Sequence, residues 1–294
     1  MSKIIKPGSI IKDYTITELL HKGGLALSYA AKHTSGQKIF FKQYKTPAVT
    51  TPWYSSYVAY QVEFKKRIEE SKVSNFTCGL IDSFEAKYGA NNFFQAFEFI
   101  EGGHDMEKVL DKIRNNPKSI SWDQRLIFAK VMMNGVGALH DANIVHGDLK
   151  PANLQMLPDS SIKAGYQLKV IDMDFSIMTD KEIPWLGYLG YVGTPGYLSP
   201  EHITGQVPQP ASDVFTCGLI LYELIGEGRN PYAGLEDYKE TIQSYKAAPP
   251  VLSGEVPKPG SNEQIAEYIY RCLDPNPEKR PTAKDMNLVL NGAI

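Results

Sequence analysis

The prevailing spacing of apolar residues along this chain changes near residue 105, from a mainly strand-like period to a mainly helical one. Residues 14–44 read as three strands: Tyr14-Thr15-Ile16-Thr17 alternates, Leu25 to Ala31 is small and apolar, and Ile39-Phe40-Phe41 follows a Ser35-Gly36 turn. One helix interrupts over residues 57–72, where Tyr57, Tyr60, Phe64 and Ile68 recur at three and four. Strand-like segments return at Cys78 to Phe84 and Phe93 to Ile100. From Asp105 onward Met106, Val109, Leu110 and Ile113 form one helical face, which Asn115-Asn116-Pro117 ends. Ser121 or Asp123 caps the next helix, with Leu126, Ile127, Ala129, Val131 and Met132 as its core face. A strand-rich first third followed by a helical remainder predicts an α+β fold.

Composition narrows the function classes. A chain of 294 residues suffices for one large domain or two lobes sharing a cleft. With 43% hydrophobic and 22% charged residues it reads as an ordinary globular protein. A net charge of −2 offers no basic excess to offset phosphates, which argues against nucleic acid as the main partner. The three cysteines, Cys78, Cys217 and Cys272, are too few and too far apart for a disulfide framework or a zinc site, and suit a reducing compartment. MSKIIKPGSII has too short an apolar run for a signal peptide, and Cys217 to Ile225 is too short to span a membrane. These features predict a cytoplasmic protein without a membrane partner. The Pro-rich stretch from Pro249 to Pro259 reads as a loop, and no extra domain, repeat or low-complexity tail is expected.

The chemistry concentrates in His146-Gly147-Asp148-Leu149-Lys150-Pro151-Ala152-Asn153. Gly and Pro break any helix there, so the run is a loop. An Asp followed five residues later by an Asn suits a loop that orients a hydroxyl while holding a metal ion. The run resembles the protein-kinase catalytic loop H-R-D-x-x-x-x-N, with Gly147 in place of the Arg. By that resemblance Asp148 accepts the substrate proton, Lys150 stabilises the transferring phosphoryl group, Asn153 binds Mg2+ and His146 is structural.

Other motifs of the same family follow in order. The short strand Leu168-Lys169-Val170-Ile171 leads into Asp172-Met173-Asp174, which takes the place of D-F-G and makes Asp172 the bridging metal ligand. Asp174 adds a metal contact or limits movement of the segment, and Asp174-Phe175-Ser176 ranks second as the motif. Gly193-Thr194-Pro195-Gly196-Tyr197-Leu198-Ser199-Pro200-Glu201 resembles the end of an activation segment, with Thr194 lining the substrate pocket near Asp148. Ser212-Asp213-Val214-Phe215-Thr216-Cys217-Gly218 looks like the buried helix whose Asp bonds the catalytic-loop backbone. Pro275 to Pro281 supplies Arg280 to pair with Glu201.

The same likeness assigns the first hundred residues. His21 to Ser28 stands for the phosphate-cradling G-x-G-x-x-G loop; Gly23 keeps the middle glycine, Gly24 follows it, and His21 and Ala26 occupy the outer positions. Lys42, at the end of the third strand, takes the place of the phosphate-binding lysine, with Glu63 as its helix partner and Glu69 as the rival. Phe40 replaces the small residue over adenine. Glu98 to Gly103 resembles the hinge, with Phe97 at the back of the pocket. The Glu98 carbonyl and the Ile100 backbone face the base, and Gln155 lies beneath it.

The resemblance implies a bilobal protein-kinase-like fold forming one domain over residues 1–290, with residues 1–97 as N-lobe, 98–103 as hinge and 104–290 as C-lobe. It implies a serine/threonine protein kinase using ATP with Mg2+ or Mn2+ on a protein substrate. Gly147 removes the Arg that usually binds an activation-loop phosphate, and Lys181 is the only cation between Asp172 and Glu201. Activity without loop phosphorylation is expected, with control by a separate regulator or phosphatase. Two alternatives stand: a pseudokinase scaffold with an altered nucleotide pocket, and a small-molecule kinase resembling the aminoglycoside phosphotransferases.

Overall fold

The computed structural model describes residues 3–189, 193–226, 229–232, 242–243, 248–255 and 261–292. It divides into two compact units, residues 1–101 and 102–294. The first is built on β1 (Ile10–Ile11), β2 (Tyr14–Lys22), β3 (Ala26–His33), β4 (Lys38–Tyr44), helix α1 (Tyr54–Glu69), β5 (Leu80–Tyr88) and β6 (Ala90–Glu98). Its strands form one antiparallel sheet in the order β1-β2-β3-β4-β6-β5. Hairpins turn at Gly36 and Gly89, both with φ near the left-handed region that only glycine adopts without strain.

Strand alternation sorts the side chains onto two faces. Tyr14, Tyr29, Phe41 and Phe94 pack one core with Ile5 and Ile11. Residues 3–11 thus cover that face, which the strand pattern did not predict. The Ile5 N–H donates to Tyr29 Oη (3.1 Å), Tyr29 donates to Gln43 Oε1 (2.9 Å), and Gln43 Nε2 donates to the Lys3 carbonyl (3.2 Å). The other set of side chains lies in register as Ser28-Lys42-Gln95 and Ala30-Phe40-Phe97.

Element existence follows the sequence pattern, whereas several boundaries move. Helix α1 begins at Tyr54 and ends at Glu69 rather than spanning 57–72; Lys72–Asn75 is a separate 3-10 turn capped by Ser71. Strands expected at 78–84 and 93–100 lie at Leu80–Tyr88 and Ala90–Glu98, because pairing with each other, not composition, sets their ends. Lys42 does not end its strand: β4 continues to Tyr44, and Lys42 is 5% exposed.

The second unit contains β7 (His104–Asp105), α2 (Met106–Asn115), α3 (Trp122–Asp141), β8 (Ile144–Val145), β9 (Leu154–Pro158), β10 (Tyr166–Val170), β11 (Ile177–Met178), α4 (Pro200–Ile203), α5 (Pro210–Ile225), α6 (Asn262–Cys272) and α7 (Ala283–Leu290). Asp105 caps α2 by accepting from the Glu107 N–H (2.9 Å). Ser121 caps α3 by accepting from Gln124 N–H (3.3 Å), which leaves Asp123 in the first turn to complement the helix dipole. Phe128 and Met133 join Leu126, Ala129 and Met132 in the core, whereas Ile127 and Val131 are only half-buried, since the inward face lies one residue off the expected stripe. Helix α5 is apolar nearly all round and accordingly buried. Strands β10-β9-β7 and β11-β8 form two small antiparallel sheets. Residues 249–255 have no regular structure, and the rest of the Pro249–Pro259 stretch lies outside the described residues. No helix among the described residues is long and apolar enough to cross a membrane.

Candidate functional site

Between β8 and the 3-10 turn Pro151–Asn153, the chain from His146 to Lys150 forms a loop fixed from several sides. Asp213, near the start of α5, accepts from the backbone N–H of His146 (2.8 Å) and Gly147 (3.1 Å) and from His140 Nε2 (3.1 Å). Burial alone pushes the Asp213 carboxyl up, but the hydrogen bond and charge of His140, with His146, outweigh it and hold the group below its ordinary value. His146 Nδ1 accepts from Asp148 N–H (3.2 Å), so its Nε2 donates to the Ile171 carbonyl (3.1 Å). That ring ties the loop to the residue before Asp172.

The reactive side chains expected from the sequence converge in this unit. Thr194 Oγ1 donates to Asp148 Oδ1 (2.8 Å), and Lys150 Nζ donates to Thr194 Oγ1 (3.0 Å). Lys150 Nζ also lies 3.6 Å from Asp148 Oδ2. Asp148 and Thr194 line one concavity together with Gly147, Tyr197, Leu198 and His202. Asn153 Nδ2 donates to the Asp148 carbonyl (2.9 Å), so its Oδ1 is the atom left to meet a cation. Asp172 is exposed and held at φ +63, a conformation costly for a non-glycine residue. Asp174 is 8% exposed, which separates the environments of the two carboxylates. Gln155 sits on β9, opposite Lys169 and Asp105, with its Nε2 3.5 Å from the Ala152 carbonyl.

Glu201 and Arg280 form the buried pair expected from their motifs. Arg280 Nη1 and Nη2 donate to the two Glu201 carboxylate oxygens (2.8 and 2.9 Å), and Ser212 Oγ donates to Oε1 (2.6 Å). Burial raises the Glu201 carboxyl, yet the Arg280 hydrogen bonds and charge bring it below the usual value.

In the first unit, Gly23 and Gly24 form the β2–β3 turn with Leu25. Lys42 Nζ lies 5.7 Å from the centre of the Phe97 ring, and Phe40 and Phe97 face each other at 6.4 Å. Glu98 ends β6 with its carboxylate accepting from Gly79 N–H (3.1 Å), and Ile100 follows outside any strand. Glu63 and Glu69 are both exposed on α1, and Glu69 lies 3.7 Å from Lys65; Gln61 is the polar residue this helix buries.

Three supports escaped the sequence reading. Thr216 Oγ1 donates to the Tyr197 carbonyl (2.7 Å), and Tyr197 N–H donates to the Thr194 carbonyl (3.1 Å). Tyr197 Oη donates to Glu223 Oε1 (3.5 Å), whose other oxygen accepts from Arg114 Nη1 (2.8 Å). Glu223 is 1% exposed, and burial pushes its carboxyl up to about 6 despite Arg114. The acidic Glu223 within the otherwise uncharged, mainly apolar run Cys217 to Ile225 was the signal available for it.

The family described as Protein kinase domain matches residues 14–288. The chain is 27% identical over 299 residues to the probable serine/threonine-protein kinase PkwA of Thermomonospora curvata, covering 97% of this chain and 35% of that one. It is 33% identical over 154 residues to the serine/threonine-protein kinase PkaA of Streptomyces coelicolor, covering 52% of this chain and 26% of that one. To the calcium/calmodulin-regulated receptor-like kinase 1 of Arabidopsis thaliana it is 33% identical over 189 residues, 60% of this chain and 40% of the relative. The chain spans less than half the length of each of these relatives.

Proposed function

This chain belongs to the protein kinase domain family, and on that premise we propose that it transfers the γ-phosphoryl group of ATP to a Ser or Thr hydroxyl of a protein. The observation that carries this reading is the Asp148–Thr194–Lys150 hydrogen-bond set, in which a carboxylate and an ammonium of the His146–Lys150 loop meet a hydroxyl from the segment before Glu201. Asp148 orients the acceptor hydroxyl and takes its proton. Lys150 stands beside that carboxylate and offsets negative charge on the group being transferred. Thr194 keeps both in place and lines the acceptor side, which favours Ser or Thr over the longer Tyr.

Protein kinases use ATP and Mg2+, and the residues here fit them. Asn153 Oδ1 and the exposed Asp172 carboxylate are hard oxygen donors of the kind Mg2+ prefers, and Mn2+ accepts the same set. When bound, Mg2+ neutralises charge on the phosphate oxygens. Lys42, with Glu63 or Glu69 as its partner, anchors phosphates, while Gly23 and Gly24 supply backbone close to them. The Glu98 carbonyl and the Ile100 backbone contact the adenine. Asp174, in its buried position, restrains the segment; Asp174→Gly is expected to lower turnover without changing the metal requirement.

Because Gly147 carries no cation, activity is proposed not to require phosphorylation of the segment before Glu201. A separate regulator or phosphatase then controls the protein, whose proposed location is the cytoplasm. Incubation with labelled ATP and Mg2+ or Mn2+, alone and with cell extract, tests the activity. Label on protein that disappears with Asp148→Ala is the expected result. Nucleotide binding without any transfer favours a scaffold instead, and transfer to a small molecule alone overturns the protein-kinase reading.

A further inference from the structure

The glycine turn of the first unit is tied down on one side by residues just past β4. Lys45 Nζ donates to the Gly23 carbonyl. The backbone N–H groups of Lys45 (2.8 Å) and Thr46 (3.1 Å) both donate to the Leu25 carbonyl. Two of the three turn carbonyls are therefore held by the segment that follows Tyr44.

A trans peptide points its C=O and the next N–H in opposite directions. With the Gly23 carbonyl drawn to Lys45, the Gly24 N–H is fixed facing away from that side chain. It makes no hydrogen bond to the protein among the described residues. The two glycines also differ in surroundings. A Cβ on Gly23 would meet the Ala26 carbonyl oxygen at 3.0 Å, whereas a Cβ on Gly24 would meet nothing within 4 Å. Gly23 is thus a packing glycine, and Gly24 faces open space with an unused donor.

We propose that Lys45 is a positioning residue for nucleotide phosphates, acting by locking the Gly23–Gly24 peptide so that the Gly24 N–H points to a phosphate oxygen. The proposal rests on the ATP-dependent reading above and extends it to a residue three positions beyond Lys42. Lys45 has a second effect of the same sign. Its ammonium neutralises the partial negative charge of a carbonyl that would otherwise repel the anionic ligand. The lysine orients the donor through the backbone, so its removal weakens phosphate recognition selectively rather than adenine recognition.

Calorimetric titration of the full chain with adenosine, AMP, ADP and ATP, the last two with Mg2+, separates these contributions. The wild type is expected to bind ATP more tightly than adenosine. Lys45→Met is expected to weaken ATP and ADP by about tenfold, the worth of one charge-assisted hydrogen bond, with adenosine within about twofold. Lys45→Arg, which keeps a long cationic donor, restores most of the ATP affinity. Gly24→Pro deletes the N–H while leaving Lys45 in place and loses the same increment. Lys45→Met or Gly24→Pro retaining the wild-type ratio of ATP to adenosine affinity overturns the proposal alone, as does equal weakening of adenosine and ATP. A wild type that binds adenosine as tightly as ATP overturns it together with the reading on which it rests.

Discussion

Replacing Arg280 by Met exposes how much of the second unit depends on one buried ion pair. All five guanidinium N–H donors of Arg280 are used: two on the Glu201 carboxylate and one each on the Asp274, Pro275 and Ala211 carbonyls. The Arg280 side chain is fully buried and that of Glu201 is 4% exposed, so Met leaves a buried carboxylate with Ser212 as its hydrogen-bond donor. Breaking a buried pair from one side costs about 3–5 kcal/mol. Against a typical stability of about 5–15 kcal/mol that is a large share, and over a chain of 294 residues it lowers the melting temperature by roughly 5–8 °C. Urea unfolding followed by fluorescence of Trp53, Trp122 and Trp185 measures it. Glu201→Leu combined with Arg280→Met is expected to cost less than the sum of the single changes, because neither charge is stranded. The pH dependence has a definite sign. The Glu201 carboxyl is depressed in the folded state, so its contribution is present above its unfolded value near 4.5 and is lost as pH falls below it. A loss under about 1 kcal/mol for Arg280→Met, or strict additivity in the double variant, refutes this account.

Gly147 holds φ +77 while its N–H is bound by Asp213, and a Cβ there would meet only Pro208 Cγ at 4.0 Å. Gly147→Ala should therefore cost about 1–2 kcal/mol from backbone conformation alone, read as a lower urea midpoint. Glu223 is raised to about 6, so its contribution is fully present below its unfolded value near 4.5 and is lost as pH rises through 6. Glu223→Gln should flatten that window by up to about 2 kcal/mol in unfolding measured from pH 4 to 7. Thr179 is exposed and lies in the segment between Asp172 and Glu201. Thr179→Ala should leave the transfer rate within about twofold, and abolished activity would count against phosphorylation-independent action.

Motifs with local spacing were legible because short runs fix their own backbone. Ser121 caps a helix where a side-chain oxygen precedes an apolar stripe, and Asp148, Lys150 and Asn153 share one loop because Gly147 and Pro151 break any helix there. Glu201 and Arg280 are 79 residues apart, yet they were paired by motif order, and the structure joins them. The helix partner of Lys42 was not legible in the same way, since α1 exposes both Glu63 and Glu69.

The amino-acid pattern by itself determined a strand-rich first part, a helical second part and a loop that gathers Asp148, Lys150 and Asn153. Only the tertiary structure decided what restrains those parts. Residues 3–11 cover a sheet face because Ile5 finds Tyr29, 24 positions away. Tyr197 reaches Glu223 and Arg114 only once α2 and α5 are packed. Lys45 meets Gly23 only when the β2–β3 turn folds back beside the end of β4. A local run encodes its own turn or helix through backbone sterics. A hydrogen bond between distant residues leaves no periodic trace, because its geometry exists only after the intervening elements have packed.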